Sequence, residues 1–406
     1  MEITRRAMMQ TAAAGAAWLG APRLAGAAAS LPDEAAFSFN GVYLNAAYTH
    51  PLGNFAVAAG RAHLASHQQN AARQWPGDNP RNAAVAAFAA LVHADAGEIA
   101  VVPSTMEGEN LVGQALGLGP KAGVVTDAFH YDASLAMYGE LRRRRGVPVA
   151  VVAPRSNRIE LDDIAAQLSP PTRLIAVSLV ASMAGFTHEL KALCDLAHSR
   201  DVLVYADIVQ AAGAVPLDLH ASGVDFCCCG TYKWLMGDFG TAFLYVRADR
   251  LAQLRRVQFG WRQFGDEQQH VYPFDPPGPV IGDWELGAST ASHFEVSTPA
   301  WGALAIVPAS IGYIQSLSVE AIARHRRPLL DALQQELPRR GFLPLTPADS
   351  PGPIVAFAYR DAAARLAPRL RQAGITITVH DHMIRISPSV YNDMDDVERL
   401  LRALAA

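Results

Sequence analysis

The sequence predicts an α/β fold: a mostly parallel sheet of seven strands covered by helices, followed by a smaller C-terminal α+β domain. Three observations carry that prediction. After residue 30, short apolar runs alternate with amphipathic stretches of helical length. Strands separated by such helices call for right-handed crossovers and parallel neighbours. The runs are apolar at successive positions, as strands buried on both faces are. With 406 residues, half of them hydrophobic, the chain can bury one large core or two joined ones.

In chain order, residues 1–30 stand apart. A charged start, an alanine-rich apolar stretch and the Ala25-Gly26-Ala27 sequence read as a cleavable export signal too short to span a membrane. Arg5 and Arg6 after Thr4 resemble a twin-arginine signal without its usual Phe. That route carries proteins already folded, so it implies a translocase partner, a periplasmic destination and no stable membrane anchor. Strands are predicted at 98–103, 122–127, 147–153, 173–180, 201–207, 224–229 and 241–246. Helices are predicted over 107–117, 133–145, 160–168 and 188–200. The Pro- and Gly-rich stretch 271–283 reads as a long functional loop. From about residue 300 long helices lead into PIVAFAYR, another helix, then GITITV and MIRISPS. The expected division is 1–30 signal, 31–295 large domain with segment 31–50 near the active site, and 296–406 small domain.

The formal net charge of −4 and the lack of a basic block argue against nucleic acid as a partner. Arg142 to Arg145 end a predicted helix and read as a solvated, dipole-matched face. CxxC spacing is missing, and no metal is expected. Cys227, Cys228 and Cys229 are consecutive, and successive strand side chains point to opposite faces. They therefore read as small apolar core residues and not as a shared metal or thiol centre.

The chemistry concentrates in YADIVQAAGAVPLDLHASGVDFCCCGTYKW. Asp207 ends a buried strand, where open α/β sheets bind ligands. Gln210 follows three residues later, and Lys233 ends the next strand-turn element. A buried carboxylate, an amide and a lysine together suit pyridoxal phosphate: the lysine for the Schiff base, the carboxylate for the pyridine nitrogen, the amide for the ring hydroxyl.

From VYLNAAYTHP to RISPSVYND the sequence resembles fold-type I pyridoxal-phosphate enzymes, specifically the class V aminotransferase group with its cysteine desulfurases, kynureninases and isopenicillin N epimerase-like proteins. The resemblance implies Lys233 as the catalytic residue and proton shuttle, with Asp207 and Gln210 on the cofactor. It places Ser104, Thr105 and Met106 at the phosphate, before a helix whose N-terminus attracts anions. Tyr131 aligns with the ring-stacking position, with His130 the adjacent candidate, and Tyr232 with a phosphate contact. Arg385 in MIRISPSVYND maps to the arginine that binds the substrate carboxylate, for which a guanidinium offers a bidentate fork. Thr298 in FEVSTPAW, where Ser297 replaces a glycine, matches a threonine that reaches the neighbouring subunit's cofactor, implying a homodimer.

The pattern also breaks. Cysteine desulfurases carry a mobile cysteine shortly before the carboxylate arginine; here the cysteines are Cys194 and Cys227 to Cys229, which disfavours persulfide chemistry. Ser182 stands where many relatives have an asparagine that contacts cofactor or substrate. His50 is readable as an acid/base or substrate contact or as a turn residue, and Arg262 as a second carboxylate site or an ion pair. The resulting expectation is an exported, dimeric enzyme acting on an amino acid or peptide-linked amino acid. Transamination or a related modification ranks first, and lyase, hydrolase or epimerase chemistry second. A non-catalytic binding module that keeps the fold is the rival from another class, and retention of Asp207, Gln210, Lys233 and Arg385 together disfavours it.

Overall fold

The computed structural model describes residues 30–69, 79–268, 270–271, 274–275 and 282–405. The twin-arginine segment, and most of the 271–283 loop, lie outside the described residues. The large sheet comprises β1 (Ile99–Val102), β2 (Gly123–Asp127), β3 (Val149–Val152), β4 (Thr172–Ser178), β5 (Leu203–Asp207), β6 (Phe226–Gly230) and β7 (Ala242–Val246), in the spatial order β1-β7-β6-β5-β4-β2-β3. Six strands run one way; β7 is antiparallel to both its neighbours. That reversal follows from chain length: only residues 231–241 separate β6 from β7, a span that closes a hairpin but cannot hold a crossover helix.

All five residues of β6 are buried. Cys227 and Cys229 pack into the core on one face with Phe243 and Tyr245, and Cys228 into the core on the other with Leu244 and Tyr205. All four cysteines are fully buried and unbridged. The expected alternation therefore holds.

Helices between the strands cover the sheet, among them α3 (Thr105–Ala115), α4 (Asp132–Arg145), α5 (Leu161–Gln167) and α6 (Leu190–His198). At the end of α4, Arg143 and Arg144 pair with Glu140 in solvent, and Gly146 closes the helix in the left-handed conformation at φ 65°. α1 (Asn54–Gln69) and α2 (Pro80–Val92), which precede the sheet, pack against α7 (Trp301–Leu317). Among the described residues, no single helix is long and apolar enough to cross a membrane.

A second, antiparallel sheet follows α8 (Val319–Glu336). Its strands β8 (Leu343–Pro344), β9 (Val355–Ala358), β10 (Thr378–His380) and β11 (Met383–Ile386) lie in the order β8-β9-β11-β10. α9 (Ala362–Gln372) and α10 (Met394–Leu404) close its core. The N-terminal segment reaches back to this part of the molecule: Val42 and Tyr43 pair with Ile375 and Thr376, and Ala47 N–H donates to Ser387 Oγ at 3.0 Å. The segment expected near the active site is thus held against the C-terminal sheet.

Candidate active site

The C-terminal edges of β4, β5 and β6 stand in register, with Ser178 opposite Asp207 and Asp207 opposite Cys228. Registered neighbours share a face, so Asp207 faces the side covered by α3. Its Oδ1 accepts the Val209 N–H at 2.9 Å. Burial pushes the Asp207 carboxyl up to about 6, against the pull of that N–H, Lys233 and His130.

Lys233 sits in the β6–β7 hairpin. The loop is stiff: Thr231 Oγ1 donates to Asp238 O at 2.5 Å, Gly237 N–H to Thr231 O at 2.9 Å, and Met236 N–H to Lys233 O at 2.8 Å. Met236 takes a left-handed φ of 56° to close it. Burial lowers the Lys233 ammonium to about 8; Asp207 works against that, and Arg385 adds to it. Among the described residues, Lys233 Nζ has no hydrogen-bond or carboxylate partner, and it lies 5.7 Å from the centroid of the Tyr232 ring.

α3 begins beside these groups. Ser104 is extended and caps the helix through Glu107 N–H at 3.1 Å, and Thr105 Oγ1 accepts from Gly230 N–H at 3.0 Å. Close approach to β6 depends on Gly108, where a Cβ would fall 2.5 Å from Cys228 Sγ.

Asp207, Gln210, Lys233, Ser104, Thr105, Met106, Tyr131, Ser182 and Tyr232 line one inner cavity of about 110 Å³. It opens into an outer cavity of about 550 Å³ that Arg385, Thr378, His380, Tyr48 and Phe239 also line. Ten of the predicted residues therefore converge. Tyr131 faces both cavities, whereas His130 is buried behind the inner wall, bonded through Nδ1 to Ser178 Oγ and through Nε2 to Glu109 Oε1, both at 2.9 Å. Burial opposes charge on both partners of that pair, yet their attraction raises the His130 pKa and, with hydrogen bonds from Ser134 and Tyr138, lowers that of Glu109.

Arg385 is buried on β11. Its Nη1 donates to Ser182 O at 2.8 Å and its Nη2 to Thr378 Oγ1 at 2.9 Å, while Nε has no partner. Burial lowers it to about 10, and among the described residues no carboxylate lies within ion-pair distance. A guanidinium in such a place is short of an anion.

His50 departs from its expected place, and Arg262 takes the ion-pair reading. His50 lines neither cavity; its Nδ1 meets Pro51 O and its Nε2 meets Ser389 Oγ, both at 2.8 Å, and burial lowers it to about 4. It is a neutral packing residue among Phe37, Tyr391 and Trp234, because the strand pairing of segment 42–47 turns it inward. Arg262 is not free for a second carboxylate: with Arg81 it grips Glu295, whose carboxylate also takes the Val101 N–H. Thr298 lines a separate cavity with Glu107, Gly240 and Gln258. Asp95, Glu98 and His220 converge elsewhere, but Glu98 is already engaged by His220, Asp95 N–H and Ala248 N–H. Ser178, Thr378 and Trp234 were not legible as site residues, since each acts by supporting another side chain.

A family model of aminotransferase class V matches residues 81–400. The chain belongs to this family. "Uncharacterized aminotransferase YcbU" of Bacillus subtilis is 27% identical over 79% of this chain and 81% of its own length. A "probable cysteine desulfurase" of Pseudomonas putida is 27% identical over 92% of each chain. Among solved structures, a mutant of C-DES with glycine covalently linked to its pyridoxal-phosphate cofactor superposes with a TM-score of 0.79 at 20% identity, over 92% of this chain and 99% of that one. The relatives named cysteine desulfurase run against the sequence-based disfavouring of that activity.

The cofactor of this class V chain is pyridoxal phosphate, and the residues present fit it. An amine without a partner among the described residues, a buried carboxylate and a helix N-terminus meet in one cavity.

Proposed function

We propose that the chain converts an α-amino acid or peptide-linked amino acid by transamination or a closely related modification. Carrying this reading is the buried Arg385, which among the described residues has no carboxylate partner and opens on the same cavity as Lys233. When bound, the cofactor supplies an electron sink for the carbanion left at the substrate α-carbon.

The remaining work falls to the chain's own groups. Lys233 would hold the cofactor through Nζ, and an amine lowered to about 8 is neutral often enough near neutral pH to take the α-proton and return it. Asp207 keeps the pyridine nitrogen protonated. Gln210 would hold the ring hydroxyl, Tyr131 the ring face, and Ser104, Thr105, Met106 and Tyr232 the phosphate, where the α3 N-terminus would add its dipole. Ser182 and Thr378 aim the Arg385 fork at the substrate carboxylate. In this reading Thr298 reaches the partner's cofactor in a homodimer.

Persulfide transfer would need a thiolate at the cavity. All four cysteines are buried within the core, and Asp381 and His382 alone join β10 to β11 where a mobile cysteine loop would stand. Lyase, hydrolase and epimerase chemistry use the same machinery and form the second reading. Product identification by mass spectrometry from a panel of amino acids and 2-oxo acids, with cysteine plus an external thiol included, separates these. Amine transfer to a 2-oxo acid is expected; sulfide release from cysteine alone would sink the first reading, and no product with any substrate would favour a binding module. Lys233→Ala should abolish the visible band of the covalently held cofactor. We also propose export: a reporter fused to residues 1–35 should reach the periplasm, and unchanged export after Arg5 and Arg6 both become Lys would refute the twin-arginine route.

A further inference from the structure

Gln210 and Trp234 are both buried, and they are bonded to each other. Trp234 Nε1–H donates to Gln210 Oε1 at 2.8 Å, and Gln210 Nε2 donates to Ala47 O at 2.9 Å. An indole N–H can only donate and a backbone carbonyl can only accept. Reversing the amide would set donor against donor at Trp234 and oxygen against oxygen at Ala47. Two independent partners therefore demand one orientation, which resolves the usual ambiguity of an amide. One of the two Nε2 hydrogens goes to Ala47. The other has no partner among the described residues, and Gln210 lines the inner cavity with Asp207 and Lys233.

Trp234 is itself constrained. The guanidinium of Arg326 lies over its ring, 5.2 Å from the centroid. Arg326 is buried, donates through Nη2 to Ala214 O at 2.5 Å, leaves Nη1 unpartnered, and among the described residues has no carboxylate within ion-pair distance. A cation over the indole face draws electron density from the ring and strengthens its N–H as a donor. Ala47 is fixed as well, through its N–H to Ser387 Oγ.

We propose that Trp234, stacked on Arg326, is a positioning residue that locks the Gln210 amide with an N–H turned to the cavity as the donor to the ring hydroxyl oxygen of the bound cofactor. The proposal rests on the reading that Gln210 meets that oxygen. A neutral donor there withdraws charge from the oxygen, so the proton it shares with its neighbouring nitrogen is held less tightly. With Ala47 O alone left to orient it, the amide can present its own oxygen part of the time, and the shared proton is then held more tightly.

The test is a pH titration of the visible cofactor band in the holoenzyme, with Gln210→Ala, Trp234→Phe and the double variant, alongside thermal melting of each apo-protein. Gln210→Ala is expected to raise the midpoint by roughly one pH unit, the scale of one hydrogen bond to a charged oxygen. Trp234→Phe keeps the ring over Arg326 but lacks the N–H; with Ala47 O alone left to orient the amide, it should raise the midpoint by a smaller amount, and the double variant should shift no further than Gln210→Ala. An unmoved midpoint in Gln210→Ala would remove the underlying reading. A shift in Gln210→Ala with none in a folded Trp234→Phe would leave that reading standing and overturn the proposal. Should Trp234→Phe fail to fold, indole-¹⁵N labelling of the six tryptophans tests the bond directly. One indole N–H resonance should move and exchange faster in Gln210→Ala; no moved resonance would overturn the proposal.

Discussion

Arg385 and Asp207 show how single residues declare a site. Each is held in an environment that penalises its charge, and among the described residues neither makes an ion pair. Arg385→Gln should lower kcat/KM about 10- to 100-fold, the scale of one or two charge-assisted hydrogen bonds, mostly through KM for the carboxylate-bearing substrate. Steady-state kinetics with the substrate and its carboxamide checks this; equal losses for both would contradict the assignment. For Asp207 the sign is fixed by a folded pKa of about 6, above its ordinary value of 3.8. Between those values the folded apo-protein binds the extra proton, so stability falls as pH rises through that window and the penalty is fully present above it. Asp207→Asn should therefore stabilise the apo-protein by ~1–2 kcal/mol at pH 7.5 but not at pH 4, while weakening cofactor binding. Lys233, lowered from 10.5 to about 8, makes the opposite contribution: stability rises with pH between those values as the ammonium is discharged. Denaturant melts across pH, with and without cofactor, read both slopes.

Among the elements, α3 and β6 depend on each other most directly. The N-terminus of α3 reaches the cavity because Gly108 lets the helix lie against Cys228, and because Thr105 accepts from Gly230 N–H. Gly108→Ala should destabilise the fold by ~1–3 kcal/mol through overpacking, despite the better helix propensity of alanine. Adding Cys228→Ala removes the sulfur it would strike and should recover part of the loss, which a double-mutant cycle of melting free energies measures. The three consecutive cysteines thus serve as small packing residues, one of them the floor beneath the proposed phosphate-holding helix.

Across the whole molecule, two sheets and the N-terminal segment enclose the outer cavity. Arg385 comes from the small sheet, Lys233 from the β6–β7 hairpin of the large one, and Tyr48 from a segment pinned beside the small sheet. The thiols lie in the large core, where burial raises every cysteine well above its ordinary pKa. Native protein should therefore show no rapidly reacting thiol toward a disulfide reagent, and four after denaturation. A fast-reacting thiol in the native state would reopen persulfide chemistry for this chain.

The sequence by itself determined the strand and helix order, because burial on both faces of a sheet leaves continuous apolar runs and crossover helices leave amphipathic ones. It also determined the alternating burial of the cysteines, which follows from strand periodicity alone, and the grouping of Asp207, Gln210 and Lys233, which lie at the ends of adjacent strands. Only the tertiary structure decided the rest. His50 turned inward because segment 42–47 pairs with the C-terminal strands, and Arg262 was claimed by Glu295 across more than thirty residues of chain. The donor face of Gln210 depends on Trp234, 24 residues away, and on Ala47, 163 residues away. Periodicity reports which face of an element is buried; what a polar side chain meets there depends on packing between distant segments.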